Sequence, residues 1–316
     1  MKKLLKFIPI FILALILTAC GTSQNNEKSG ESKKAQEFPV TITDGVGNKV
    51  TVEKKPERIV SLIPSNTETA FALGLDKEIV GVSDFDNYPE QVKSKEKIGG
   101  QEFNIEKIIS LKPDIVLATA SNAHNSKDGL KQLEDSGIKV VTINDSASFD
   151  DAYKSIEMIG KATGTKAKAK EIIDGMKAKV ADIKEKADGI SKDSQPKVWI
   201  EVYAPPNIYT TGKGTFMGDM LDLLGAKNIA GDKEGWIQFS EEAVVKANPD
   251  VEILTYGYYD KDAVDKVYKR KGWENVAAIK NKRVYSVNSD MVSRPGPRLA
   301  EGLEEFAKAI YPDTFK

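Results

Sequence analysis

Few residues in this 316-residue chain could carry covalent or metal chemistry. His124 is the only histidine and Cys20 the only cysteine. A protein-ligated zinc or haem site, or a Ser-His-Asp arrangement, would have to be built on His124. That residue lies in the polar run Ala-Ser-Asn-Ala-His-Asn-Ser and reads as a solvated loop residue. Gly212-Lys213-Gly214-Thr215 superficially resembles a phosphate loop. Position 207 is Asn where the wider pattern needs Gly, and a strand-to-helix turn explains the glycines better. No catalytic residue, metal site or cofactor is therefore expected, and binding is the chemistry left.

A pair of acids stands out by its setting. Asn104-Ile-Glu-Lys-Ile-Ile-Ser-Leu-Lys-Pro-Asp114 recurs as Ser240-Glu-Glu-Ala-Val-Val-Lys-Ala-Asn-Pro-Asp250, with a constant offset (242 − 106 = 250 − 114 = 136). Each copy offers an N-cap, an acid two positions on (Glu106 or Glu242), a short amphipathic helix, Pro-Asp and an apolar strand. An acid in a first helical turn is stabilised by the helix dipole by roughly 0.3–1 kcal/mol with no partner at all.

The elements that must position these residues alternate along the chain. Residues 38–54 read as a hairpin, and Arg58–Ile63, Ile79–Ser83, Ile115–Ala118 and Val140–Ile143 as strands, with a helix from Ser65 to about Leu73 ended by Gly74. The second half repeats the order. Val198–Val202, Val251–Thr255 and Val284–Val287 are its strands, Thr215–Leu224 a helix ended by Gly225, and Ile229-Ala-Gly231 an echo of Ile79-Val-Gly81. Strands alternating with helices predict an α/β fold with mostly parallel sheets. Between the halves, apolar residues at helical spacing run from Phe149 to Ala187, with breaks or kinks expected at Gly160 and Gly164-Thr165. The expected architecture is two Rossmann-like lobes, 38–148 and 191–316, joined by a helical connector, 149–190, with a largely pre-formed ligand cleft between them.

The amino terminus reads as an address. Lys2, Lys3 and Lys6 precede an apolar run from Phe7 to Leu17, too short to span a bilayer comfortably, and then Leu17-Thr18-Ala19-Cys20. Residues 1–19 are expected to be a signal peptide, and the polar stretch 20–37 a flexible tether. Removing three lysines and no acids takes the formal charge from −1 to −4 (−1 − 3), and no basic stretch points to nucleic acid.

Together the lipobox-like Leu-Thr-Ala-Cys20, Arg58-Ile-Val-Ser-Leu-Ile-Pro-Ser-Asn-Thr-Glu68, the Asn104–Asp114 segment and Arg294-Pro-Gly-Pro-Arg298 resemble an ABC-importer substrate-binding lipoprotein. The class is the one with a helical backbone, whose members bind cobalamin, ferric siderophores or haem. The resemblance is strongest to members that bind vitamin B12, carried also by Ser83-Asp-Phe-Asp-Asn-Tyr-Pro89. It implies a lipidated Cys20, a monomeric receptor on the extracytoplasmic face of the cell membrane, and delivery to a permease dimer with its ATPase. Glu106 and Glu242 match the acids that dock on that permease.

For the ligand it implies Ser65, Asn66, Phe85, Trp236, Asp290, Met291 and Arg294. Tyr203, near a strand end with Tyr256, Tyr258 and Tyr259, could add to these, because a large amide-rimmed ring needs flat apolar side chains and a few edge donors. Gly100, Thr119 and Met291 stand where the cobalamin-binding relatives carry tryptophans. A ferric siderophore is the rival ligand, with Arg294 the one cleft cation in view. Haem is disfavoured without an axial His or Cys, although a tyrosine could serve. An extracellular enzyme on the same frame is the rival from another class. Arg298 is expected to cap or anchor a final helix, Leu299 to Ile310.

Overall fold

The computed structural model describes residues 38–316; the expected signal peptide, Cys20 and the whole of the expected tether lie outside the described residues. Alternating burial along β1 (Val40–Thr43) pairs it antiparallel with β2 (Lys49–Val52). β3 (Ile59–Ser61), α1 (Pro64–Ala72), β4 (Ile79–Val82), β5 (Glu96–Lys97), α2 (Ile105–Ser110), β6 (Ile115–Thr119), α3 (Ala120–Asn125), α4 (Lys127–Asp135) and β7 (Lys139–Ile143) follow. The sheet order is β5-β4-β3-β6-β7, with every pairing parallel. Its central strands are apolar on both faces, as a sheet covered on both sides requires. His124 lies in α3, exposed, rather than in a loop, because Thr119 and Asn122 form a capping box that starts a helix there.

The connector is two helices, α5 (Phe149–Thr163) and α6 (Lys166–Asp188). Gly164 separates them in the left-handed region, φ +71°, where a side chain is disfavoured. Gly160 does not break α5. A Cβ there would lie 2.5 Å from the Cβ of Ala169, so the glycine lets α5 and α6 pack closely.

The second lobe holds β8 (Lys197–Glu201), β9 (Tyr209–Thr211), α7 (Phe216–Leu223), β10 (Lys227–Asn228), β11 (Trp236–Gln238), α8 (Glu241–Ala247), β12 (Val251–Leu254), α9 (Ala263–Tyr268), α10 (Ala277–Lys280), β13 (Val284–Ser286), α11 (Ser289–Ser293) and α12 (Leu299–Ile310). Its parallel sheet, β10-β8-β12-β13, repeats the β4-β3-β6-β7 order of the first. β9 and β11 form a separate antiparallel pair. Ile229-Ala-Gly231 falls just beyond β10 rather than within it.

The repeat is structural as well as textual. Lys112 and Asn248, 136 apart, both adopt positive φ (47° and 50°) at the helix ends. Asp114 accepts from the backbone N–H groups of Glu57 and Arg58 at 2.9 and 3.0 Å, and Asp250 from that of Lys197 at 2.8 Å. Each Pro-Asp thus ties the incoming strand to the start of the neighbouring central strand. The lobes are not independently cored. One apolar cluster runs from Ile59 and Ile115 through Ile156 and Ile159 of α5 to Val198, Ile253 and Phe306. Asp219 of α7 also accepts from the Phe149 N–H at 3.0 Å, and Lys179 of α6 pairs with Glu304 of α12. Shared packing of this kind disfavours wide hinge motion.

Candidate functional site

In parallel sheets the loops after the strands' carboxyl ends build the site. After β4, the chain from Ser83 to Tyr88 is held by its own polar groups. The Ser83 hydroxyl donates to Asp86 at 2.6 Å, and the Lys97 ammonium donates to the carbonyls of Ser83 and Asp86 at 3.0 and 2.8 Å. Burial raises the Asp86 pKa, with Ser83, Thr67 and Lys97 opposing. The braced loop presents Phe85, 54% exposed. Its ring lies over Gly100, where a Cβ would stand 3.1 Å from Cζ. The glycine found in place of an indole therefore makes room for Phe85.

The second lobe contributes aromatics from three places. Tyr203 follows β8 and meets Tyr209 edge-on at 6.0 Å. Tyr258, 63% exposed after β12, stands edge-on to Tyr259 at 4.8 Å, and Tyr259 stacks on Tyr256 at 5.7 Å. Trp236 of β11 is exposed against Phe216, 5.4 Å away. Burial, then the charges of Tyr203 and Asp290, raise the Tyr258 pKa, while Arg294 opposes. Tyr256 does not join this surface. It is 1% exposed, and its hydroxyl donates to buried Glu201 at 2.6 Å. Its position in the chain resembles that of Tyr258, but its distant partners decide its burial.

Asp290, Met291 and Arg294 lie on and just after α11, which Asn288 caps by accepting from the N–H groups of Asp290 and Met291. Arg294 is not a free cation. It pairs with Glu68 at 2.8 Å and Asp290 at 2.8 Å, and donates to the Asn87 side-chain oxygen at 2.7 Å. Asn87 in turn donates to Asp290 at 2.9 Å. The structure thus brings Phe85, Asp290 and Arg294 together across the lobes. Ser65 and Asn66 are buried at the start of α1, and the Asn66 amide donates to the Ala118 carbonyl at 3.0 Å. Thr119 is buried as the cap of α3.

Arg298 is more than a helix anchor. Its side chain makes no cap bond to α12; it binds Glu68 of the first lobe through Nε and Nη2, each at 2.8 Å. Glu68, Asn87 and Tyr88 escaped the sequence reading. The available signal was a glutamate on a helix whose neighbours are otherwise uncharged.

Glu106 and Glu242 are exposed in the first turns of α2 and α8, capped by Asn104 (2.8 Å) and Ser240 (3.2 Å). Hydrogen bonds from its own backbone N–H and from Ser240 lower the Glu242 pKa. Each helix turns tightly into the strand that follows and so runs antiparallel to it. Its N-terminus, with the acid, therefore lies at the carboxyl-end side of the sheet, the side on which the aromatic loops stand. Among the described residues, no cluster of three His, Cys, Asp or Glu could hold a metal, and no helix is long and apolar enough to cross a membrane.

Two lobes, each built on a parallel sheet, form the frame, and the chain belongs to the family described as "Periplasmic binding protein", whose profile matches residues 59–291. That is a family of binding proteins rather than enzymes, and it needs no enzymatic cofactor. The chain is 50% identical over 307 residues to the uncharacterized ABC transporter substrate-binding lipoprotein YvrC of Bacillus subtilis (strain 168), covering 97% of this chain and 96% of the relative. Among solved structures it is similar to a possible iron-binding (periplasmic solute-binding) protein from Staphylococcus epidermidis ATCC 12228 (42% identity, TM-score 0.73, 82% of this chain and 100% of that one). It is also similar to the vitamin B12-binding protein BtuF of Vibrio cholerae (25% identity, TM-score 0.69, 83% and 99%).

Proposed function

We propose that this chain is the substrate-binding lipoprotein of an ABC importer, that it is anchored through Cys20 on the extracytoplasmic face of the cell membrane, and that its ligand is cobalamin. The observation that carries the ligand choice is the pairing of exposed aromatic faces with a neutralised cation. Phe85, Tyr203, Tyr258 and Trp236 offer flat apolar surface from both lobes. Arg294, the one cation among the expected ligand residues, is matched by Glu68 and Asp290. A broad ring with neutral amide edges gains from such surface, whereas an anionic chelate needs unpaired converging cations. The likeness to BtuF supports the same choice, and that to YvrC supports the lipoprotein reading.

Titration calorimetry with cyanocobalamin tests the ligand, with haemin and a ferric siderophore in parallel cells. Stoichiometric binding of cyanocobalamin at micromolar concentrations is expected. No heat with cyanocobalamin beside tight binding of the ferric chelate would transfer the assignment to the siderophore. In the membrane, Glu106 and Glu242 serve as the paired contacts to a permease dimer, since each lies on the cleft side of its own lobe.

A further inference from the structure

The segments around Glu68 and Arg294–Arg298 are more than 220 residues apart in the chain and meet through one carboxylate. Glu68 is only 4% exposed in the middle of α1. A charge so buried requires paired, hydrogen-bonded partners. Its Oε2 accepts from Arg298 Nε, and its Oε1 accepts from both Arg298 Nη2 and Arg294 Nη1, all at 2.8 Å. The two-point grip of Arg298 fixes direction as well as distance. The same guanidinium lies 3.9 Å over the Tyr88 ring, so the first lobe holds it from two sides.

The Arg294 half is built differently. Its remaining contacts are to Asn87, Asp290 and, at 3.5 Å, the Phe85 carbonyl, and they close with the Asn87–Asp290 bond at the partly solvated rim, where Asn87 is exposed and Asp290 half-buried. Water can replace these bonds at little net cost, whereas it cannot replace those in the buried half. Two acids and two arginines leave the clasp electrically balanced.

We propose that Glu68 is the positioning residue of the cleft: the Glu68–Arg298 pair is a fixed pivot between lobes, and the Arg294–Asn87–Asp290 bonds are a releasable latch that sets how far Phe85 stands from α11. The outer bonds exchange for water or ligand as the cleft opens, while the inner pair persists. The ligand half of this inference rests on the proposed cleft, but the latch itself is measurable without ligand.

Hydrogen exchange on ligand-free protein is the test. Glu68→Gln should raise exchange about tenfold in both 83–90 and 288–294 while leaving β6 and β7 protected. Asn87→Ala, which touches only the latch, should raise exchange in the same two segments with the melting temperature nearly unchanged. A Leu303→Val core variant that lowers the melting temperature should not produce this paired signature. Unchanged exchange in both segments of Glu68→Gln, or the same signature in Leu303→Val, overturns the proposal. If Glu68→Gln does not fold, Arg294→Lys, which shortens the fork that joins Glu68 to Asn87, gives the same reading, and unchanged exchange there overturns it equally. Failure of the wild type to bind cyanocobalamin would remove the ligand assignment and leave the exchange result standing.

Discussion

Glu252 should make this protein less stable as the pH rises, and replacing it with Gln should remove that dependence. It occupies β12, between β8 and β13, and is fully buried. Among the described residues neither carboxyl oxygen has a hydrogen-bond partner. Arg270 Nη1 comes within 3.8 Å, close enough for Coulomb attraction but too far to donate. The Arg270 fork instead grips Glu201, which also accepts from the Tyr256 hydroxyl and from Trp199 Nε1 at 3.3 Å. Burial first, and the negative Glu201 second, hold the Glu252 pKa well above 4.5, with Arg270 only partly opposing.

A raised carboxyl pKa means that the fold keeps a proton that the unfolded chain releases. The contribution is whole below the unfolded pKa and lost as pH rises toward the folded one. While the proton is retained the loss is about 1.4 kcal/mol per pH unit. Between pH 5.5 and 7.5 the wild type should therefore lose up to about 3 kcal/mol relative to Glu252→Gln. Urea denaturation at pH 5.5, 6.5 and 7.5 measures the difference. Asp86 and Asp219, also raised by burial, titrate in both proteins and cancel. Parallel stability curves would show that Glu252 holds no proton in the fold.

Two further outcomes are expected. Changing Glu106 and Glu242 together to Ala should reduce uptake in whole cells at least tenfold, a loss of about 1.4 kcal/mol or more at the docking step, with ligand affinity unchanged by calorimetry; normal uptake or lost affinity would contradict docking. Gly160→Leu drives a side chain into Ala169 and should lower stability by about 1–3 kcal/mol in thermal unfolding, with the secondary structure retained.

What was legible in the chain was local or repeated. The offset of 136 located both cap-helix-Pro-Asp units, Gly164 rather than Gly160 divides the connector, and the final helix spans Leu299 to Ile310 as expected. What was not legible depends on partners far away in sequence. Tyr256 and Tyr258 are two residues apart, yet one is buried against Glu201 and Arg270 and the other exposed. No periodicity in a short loop separates them. Likewise Arg298 looks like a helix-start residue, and its real partner lies 230 positions earlier. Arg294 read as a free cation for the same reason: its neutralisation by Glu68 is a tertiary fact.

The two lobes share their framework and differ where binding is decided. Glu252 corresponds under the repeat to Val116 (252 − 136 = 116), which packs in a purely apolar cluster. The first lobe therefore rests its cleft loop on local polar bracing around Ser83, Asp86 and Lys97. The second instead places a charged network beneath its cleft surface. Glu201 fixes the Tyr256 hydroxyl, the Tyr256 ring stacks on Tyr259, and Tyr259 meets Tyr258 edge-on. A buried ion pair adds little net stability over a well-packed apolar core. Its function here is orientation, because a directional bond to the Tyr256 hydroxyl fixes the ring on which the exposed tyrosines depend. The duplicated architecture thus supplies a rigid two-lobed frame, and the departures from duplication determine what that frame recognises.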